Sequence, residues 1–278
     1  MLGTGTPRPD PARSGPATGL VVNDTPYLID FGPGVIRRVA AAYDRGISGF
    51  GFAATALYTI FATHLHADHT AGYPDLILTP WILGRRQPLN VYGPKGLRAM
   101  TRHVLKAWEI DIEDRVTGID RLPRNGSVVN VHEITAGIIY ADANIRVRAF
   151  PARHGDLAAF GFRFETPEKV IVISGDTAPL ASLAEHCDGC DVLIHEAYSD
   201  RTYEQVSRKW QRYRRTHHTS ASQLAALANL VRPHLLILYH RSNPGGAITL
   251  ADAEQQLLRE IRRLYLGRVV AAHDLDVF

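Results

Sequence analysis

The sequence predicts an α/β protein folded as a single domain over residues 1–278, on three observations. Short apolar runs of strand length alternate with amphipathic helical stretches along the whole chain. No Pro/Gly/Ser-rich linker, low-complexity tract or solenoid-period repeat divides it. Hydrophobic residues make up 45% and charged residues 21%, enough apolar side chain for a sizeable core under an ordinary soluble surface.

Met1-Leu2-Gly3-Thr4-Gly5-Thr6-Pro7 reads as the last residues of a strand running into a glycine-rich turn. Tyr27 to Phe31 is an apolar strand, Gly32-Pro33-Gly34 a turn, and Val35 to Tyr43 a helix with apolar residues at helical spacing. Leu57 to Ala62 is a second strand and runs into a histidine-rich segment. A helix over Ala71 to Leu83, a strand over Leu89 to Tyr92 and a helix from Gly96 to Trp108 follow. The middle is β-rich, with its clearest strands at Ile145 to Pro151, Ala159 to Glu165 and Val170 to Ser174. Beyond Gly175 the alternation resumes with a helix at Pro179 to His186, a strand at Val192 to His195 and a helix at Ser220 to Val231. A strand at Leu235 to Tyr239 and a helix at Leu250 to Tyr265 complete it. Chemistry-bearing residues recur just past strand ends, where loops converge on one rim.

No apolar run nears the ~20 residues of a membrane span, and the N-terminus lacks the basic start and apolar stretch of a signal peptide. A cytoplasmic location without a membrane partner is expected. The net charge of +3, from 31 Lys+Arg and 28 Asp+Glu, does not require nucleic acid as a partner. Two cysteines, Cys187 and Cys190, are too few for a zinc ribbon or a disulfide framework, and are expected as small unpaired residues in a helix-to-strand loop.

His64-Leu65-His66-Ala67-Asp68-His69 places three imidazoles and one carboxylate in six residues directly after a strand. These are the ligands zinc takes when thiolates are absent. In an extended segment residues two apart point the same way, so His64 and His66 can meet one ion, and a following helix swings Asp68 and His69 towards a second. His154, Asp176 and His240 lie at other strand ends and bring the candidate ligands to seven.

With these residues the sequence resembles the metallo-β-lactamase superfamily over nearly its whole length. The segments that carry the resemblance, all in the family's order, begin with Leu2-Gly3-Thr4-Gly5-Thr6-Pro7, Leu28-Ile29-Asp30-Phe31-Gly32 and the HxHxDH cluster. His154, Asp176, His195-Glu196-Ala197, His218-Thr219-Ser220 and His240 follow. The resemblance implies a four-layered αββα sandwich with the active site at one edge of its two sheets. It implies two divalent metals, zinc before manganese or iron, with His64, His66 and His154 on one, Asp68, His69 and His240 on the other, and Asp176 bridging. Asp30 corresponds to a carboxylate that orients a ligating histidine.

His195-Glu196-Ala197 and His218-Thr219-Ser220 resemble the branch of transfer-RNA 3′-processing endonucleases (ribonuclease Z) and their arylsulfatase and phosphodiesterase relatives. Only 21 residues separate His154 from Asp176, too few for the tRNA-gripping arm most of those endonucleases carry there. The bridging Asp176 counts against a β-lactamase, and Pro179 stands where quorum-quenching lactonases have a tyrosine.

The expected activity is hydrolysis of a phosphate or sulfate ester, phosphotriesters included, by a hydroxide that two bridged ions make available near neutral pH. Asp68 would take the nucleophile's proton, His218 would meet the charged oxygens or protonate the leaving group, and His195 with Glu196 would form a hydrogen-bonded relay or a buried polar pair. The alternatives are a lactone or carboxylic ester hydrolase, a tRNA 3′-processing endonuclease and a non-catalytic metal-binding scaffold. The expected partner is a small anionic or aryl ester, with nucleic acid and a homodimer both compatible. Specificity is expected around Asp10 to Gly19, Arg201 to Arg215 and Asn243 to Ala247. Within the second of these, Arg208 to Arg215 holds five basic and two aromatic residues. It reads either as a cationic, aromatic wall beside the metals or as a solvated helix with Trp210 tucked inward.

Overall fold

Thr18–Val22 (β1) and Thr25–Ile29 (β2) are joined by Asn23 and Asp24, whose φ angles of 48° and 59° are those a two-residue hairpin turn requires. The computed structural model describes residues 1–47, 49–51, 54–242 and 249–278, so the loop expected at Asn243 to Ala247 lies outside the described residues. The chain divides into two compact units, Met1–Thr135 with Asp274–Phe278, and Ala136–His273.

The first unit holds a sheet of order β1-β2-β3-β4-β5, with β3 at Thr59–Phe61, β4 at Leu89–Gly93 and β5 at Val129–Glu133. All pairs beyond β1–β2 are parallel. Helices α1 (Val35–Asp44), α2 (Ala67–Thr70), α3 (Tyr73–Ile82), α4 (Leu97–Ala107) and α5 (Glu109–Thr117) connect the strands. Leu28, Ile60 and Val91 from the sheet form one core with Val35 and Val39 of α1, Leu76, Ile77 and Trp81 of α3, and Leu97 of α4.

The helix expected at Ala71 to Leu83 is α3, and the short α2 before it is separate, because the Gly72 amide donates to the Phe31 carbonyl at 2.9 Å instead of continuing the α2 ladder. Fully buried Arg85 closes the far end of α3 by donating to the carbonyls of Leu76 (3.1 Å), Ile77 (2.6 Å) and Gly126 (3.1 Å). Burial lowers the pKa of this guanidinium to about 10, against the opposing pull of Tyr58. The opening residues form no strand beyond an isolated bridge from Gly3 to Ala17; Asp274 fixes them by accepting from the Thr4 amide and hydroxyl and the Ser14 amide.

The second unit holds a sheet of order β12-β11-β10-β9-β8-β7-β6. Its strands are β6 (Gly137–Ala141), β7 (Arg146–Pro151), β8 (Phe160–Glu165), β9 (Val170–Ile173), β10 (Val192–Tyr198), β11 (Leu235–Ser242) and β12 (Val269–Ala271). Neighbours from β9 to β12 are parallel and those from β6 to β9 antiparallel. The helices are α6 (Leu183–His186), α7 (Asp200–Glu204), α8 (Arg208–His217), α9 (Ala221–Val231) and α10 (Leu250–Arg262). Leu193, Leu236 and Leu238 form a second core with Leu224, Ala225 and Ala228 of α9 and Leu257 and Ile261 of α10. Ser220 begins α9 with a reciprocal cap, accepting from the Gln223 amide while the Gln223 side chain accepts from its own.

Three expectations are corrected in this unit. The helix expected from Pro179 shortens to α6, because the Ala178 amide donates to the Arg153 carbonyl (2.7 Å) and the Arg153 guanidinium reaches the Pro179 carbonyl (3.3 Å). Cys187 and Cys190 are joined by a disulfide, buried in the second core. Trp210 is not tucked inward; it is 53% exposed, and Arg214 is the residue of α8 that turns in, its guanidinium 5.4 Å from the centre of the Tyr198 ring. Among the described residues no helix is long and apolar enough to cross a membrane.

Candidate functional site

In the first unit the candidate residues follow the C-terminal ends of β2 and β3, the end of a parallel sheet where loops meet ligands. Asp30 leaves β2 with φ of 59°, in the left-handed region, and turns a buried carboxylate back under β3. One oxygen accepts from the Thr63 amide at 2.7 Å, and the other from the Thr63 hydroxyl at 2.9 Å and His69 Nδ1 at 2.8 Å. An ionised carboxylate only accepts, so His69 carries its proton on Nδ1 and keeps the Nε2 lone pair for another partner.

His64 Nδ1 contacts the Thr63 hydroxyl at 2.9 Å, and its Nε2 lies 3.1 Å from His66 Nδ1. Two imidazole nitrogens on one tetrahedral zinc at about 2.05 Å each would be roughly 3.3 Å apart, so this spacing fits two ligands of a single ion. The His64 and His69 rings are in contact at 4.1 Å, and Asp68 Oδ2 is 3.6 Å from His69 Nε2. His64 and His69 are fully buried beside the Asp68 carboxylate. Neutral imidazoles facing a carboxylate are what a divalent cation requires. Close packing of backbone holds the turn, since a Cβ on Gly32 would lie 2.4 Å from the Asp68 carbonyl oxygen and 2.5 Å from the Gly15 carbonyl carbon.

In the second unit the candidates follow β7, β9 and α8, lie within β10 and interrupt β11. His154 Nδ1 donates to the His217 carbonyl at 2.8 Å, which fixes its tautomer with the Nε2 lone pair open. Gly155, with φ of 62°, lets His217 approach so closely that a Cβ there would lie 2.2 Å from His217 Nε2. The β10–β11 register slips after Glu196, which faces Tyr239, while Ala197 faces Arg241. His240 is therefore the extra residue of a bulge, with φ of 42°, and the bulge sets its Nδ1 3.3 Å from Asp176 Oδ1. Arg241, bonded to Glu254 at 2.7 Å and to the Leu238 and Ala272 carbonyls, anchors the bulge from behind.

His154, Asp176 and His218 offer ligand atoms that all lie within 4.8 Å of one another, and so do Glu196, His218 and His240. His218 is common to both groups. These clusters are consistent with one or two divalent metal ions, as is the imidazole pair of the first unit.

The expected His195–Glu196 relay is not formed. Neighbours on a strand face opposite ways, and His195 Nδ1 donates to the Glu196 backbone carbonyl at 2.7 Å on the side where Leu193 and Ala197 meet the helical core. Burial lowers its pKa against the pull of Glu196, so it is a neutral core histidine. The fully buried Glu196 carboxylate instead accepts from the Thr219 amide at 3.0 Å and the Thr177 amide at 3.4 Å and stands 3.3 Å from His218 Nδ1. Burial pulls the His218 pKa down, but Glu196 and Asp176 outweigh it and leave it raised. This Glu196–His218 pair is not foreseen in the sequence, although strand alternation already separates His195 from Glu196.

Beside these donors, α8 carries Trp210 edge-on to Tyr213 (5.4 Å), Tyr213 stacked on His217 (4.1 Å, 16°) and His217 edge-on to His154 (5.0 Å).

Residues 25–241 match the family model described as a β-lactamase superfamily domain. The chain is 32% identical to ribonuclease Z of Mycobacterium bovis (strain BCG / Pasteur 1173P2) over 279 aligned residues, covering 99% of this chain and 95% of that one. Among solved structures it resembles the short form of human tRNase Z, at 24% identity and a TM-score of 0.71, over 100% of this chain and 96% of that one. It also resembles a metallo-β-lactamase fold protein of Bacillus subtilis, at 15% identity and a TM-score of 0.72, over 98% and 95%. The fold is thus the expected α/β fold of two sheets flanked by helices.

Proposed function

The chain belongs to the metallo-β-lactamase superfamily, and on that premise we propose that it is a two-metal hydrolase of phosphodiesters. Zinc suits the imidazole and carboxylate donors. In this reading His64, His66 and His154 would hold one ion and Asp68, His69 and His240 the other, with Asp176 as a ligand shared by both. When bound, the ions supply Lewis acidity and a water whose pKa falls towards ~7.

The chain's own residues do the rest. The Asp30 carboxylate and the His217 carbonyl hold His69 and His154 in the tautomer whose Nε2 lone pair is available. Asp68 accepts the proton that the attacking water gives up. Glu196 keeps His218 oriented and protonated, so that His218 stabilises charge on a non-bridging oxygen and gives its proton to the leaving alkoxide; a preorganised donor of this kind contributes roughly 3 kcal/mol. His195 is left out of the proton path.

The buried Glu196–His218 contact carries this reading, because it holds a histidine donor beside the candidate ligands Asp176 and His240. Identity to ribonuclease Z over nearly the whole of both chains favours a phosphodiester over a sulfate ester. The span from His154 to Asp176 is filled by β8 and β9, which favours a diester smaller than one that needs a long gripping arm.

The test is a panel of bis(4-nitrophenyl) phosphate, an aryl sulfate, a phosphotriester and a lactone against the zinc-loaded protein. The diester should be turned over fastest. E196Q, which keeps an acceptor for the Thr219 amide but removes the charge beside His218, should lower kcat about a hundredfold with zinc content unchanged. A faster sulfate or lactone reaction, or full activity in E196Q, would overturn the assignment.

A further inference from the structure

We propose that α8 is a stacking platform that selects substrates carrying planar aromatic groups beside the scissile phosphate; the proposal rests on the phosphodiesterase reading. Its side chains are placed against the helix's own interest. Arg208 and Lys209 stand in the first turn, where the helix dipole disfavours cations, and Ser207 makes no capping hydrogen bond. Among the described residues, Arg208, Lys209, Arg212 and Arg215 make no ion pair, and all four are exposed. A helix that only shielded the core would bury its indole, yet Trp210 is 53% exposed while Arg214 occupies the inner face.

The rings run in a line towards the donors. Trp210 meets Tyr213, Tyr213 stacks on His217, and His217 touches His154. At 1.5 Å of rise per residue, Tyr213 lies about 7.5 Å and Trp210 about 12 Å along the axis from His218. Trp210 is thus set to meet a ring carried beyond the phosphate, with the half-buried Tyr213, already stacked on His217, as its support. The exposed indole, flanked by exposed cations that make no ion pair among the described residues, suits an anion bearing a flat ring. A nucleotide strand and an aryl diester share that chemistry.

The test measures KM and kcat of the zinc-loaded chain for adenylyl-(3′→5′)-adenosine and for bis(4-nitrophenyl) phosphate. W210A should raise KM about tenfold for at least one of them with kcat nearly unchanged, since a lost stacking contact weakens binding by that order. W210F should restore most of the affinity, and W108A, an exposed indole of the first unit, should have no effect. A response confined to the dinucleotide identifies bases as the stacked group; one shared by both identifies any aryl ring. Unchanged KM in W210A for both compounds overturns the platform. If the wild type cleaves neither, the phosphodiesterase reading fails by itself. The platform is then read by fluorescence: quenching by the dinucleotide that disappears in W210F supports it, and no quenching refutes it.

Discussion

Asp30→Asn separates the two tasks of the most constrained carboxylate in the first unit. The change keeps size and shape at a buried position and removes one acceptor and the charge. In the native site one oxygen serves the Thr63 amide (2.7 Å) and the other serves the Thr63 hydroxyl (2.9 Å) and His69 Nδ1 (2.8 Å). Asparagine has a single oxygen, so two arrangements remain. With the oxygen on the Thr63 amide, the new NH2 faces His69 Nδ1, and the imidazole must move its proton to Nε2, which closes the lone pair meant for metal. With the oxygen on His69, the NH2 opposes the Thr63 amide and leaves two buried donors face to face, at a cost of about 1–3 kcal/mol. Either way the bonds lost are charge-assisted, at about 1.5–3 kcal/mol each. The expectation is about 2–4 kcal/mol of lost stability in chelator-treated protein, read by urea unfolding. Zinc affinity should fall 10- to 100-fold, as for other groups that hold a ligating histidine, read by competition with a chromophoric chelator. A variant that unfolds within about 0.5 kcal/mol of wild type and binds zinc as tightly would refute the orientation argument.

Further outcomes test the surrounding structure. Gly32→Ala drives a Cβ to 2.4 Å from the Asp68 carbonyl, where only backbone can yield, and should cost about 1–3 kcal/mol in thermal unfolding together with weaker zinc binding. Arg85→Met leaves the carbonyls of Leu76, Ile77 and Gly126 without their donors and should lower the urea midpoint by the equivalent of about 2–4 kcal/mol, with the zinc titration unchanged. Chelation should abolish diester hydrolysis and zinc should restore it. Zinc at 100 times its dissociation constant should raise stability by about 2.7 kcal/mol per site, so an unfolding midpoint insensitive to zinc would argue against ions bound to the folded state.

The legible parts of this molecule were those whose signal is local. His64 to His69 announce themselves because several ligand types fall in six consecutive residues, and the helices α1 and α9 because apolar residues recur at helical spacing behind a turn or a cap. Nothing local marks the hairpin strand β1, the edge strands β5 and β6, the short β12 or helix α5. Their burial depends on partners distant in sequence, and α5 buries little of itself beyond Ile112. The pairing of Glu196 with His218 joins residues 22 apart through a strand end and a helix start; strand alternation separates Glu196 from His195, but nothing local selects His218 as its partner. The disulfide was likewise undecidable from spacing, since two cysteines separated by two residues sit within bonding reach whether or not they bond.

What escaped the sequence most completely is backbone conformation, and it bears directly on chemistry. Asp30 and His240 are non-glycine residues with φ of 59° and 42°, a region costing about 1–3 kcal/mol for such side chains. Each follows or interrupts a strand whose regular continuation would point the side chain elsewhere. The left-handed turn sends the Asp30 carboxylate back to Thr63 and His69, and the bulge brings His240 to Asp176. Each distortion is held by a buried network on its far side: Thr63 around Asp30, and Arg241 with Glu254 behind His240. A propensity-based reading assigns both residues to plain strand ends. Local rules are broken here because regular strands would leave these groups out of reach of their partners, and the surrounding bonds overrule the preference of two residues to position a carboxylate and an imidazole.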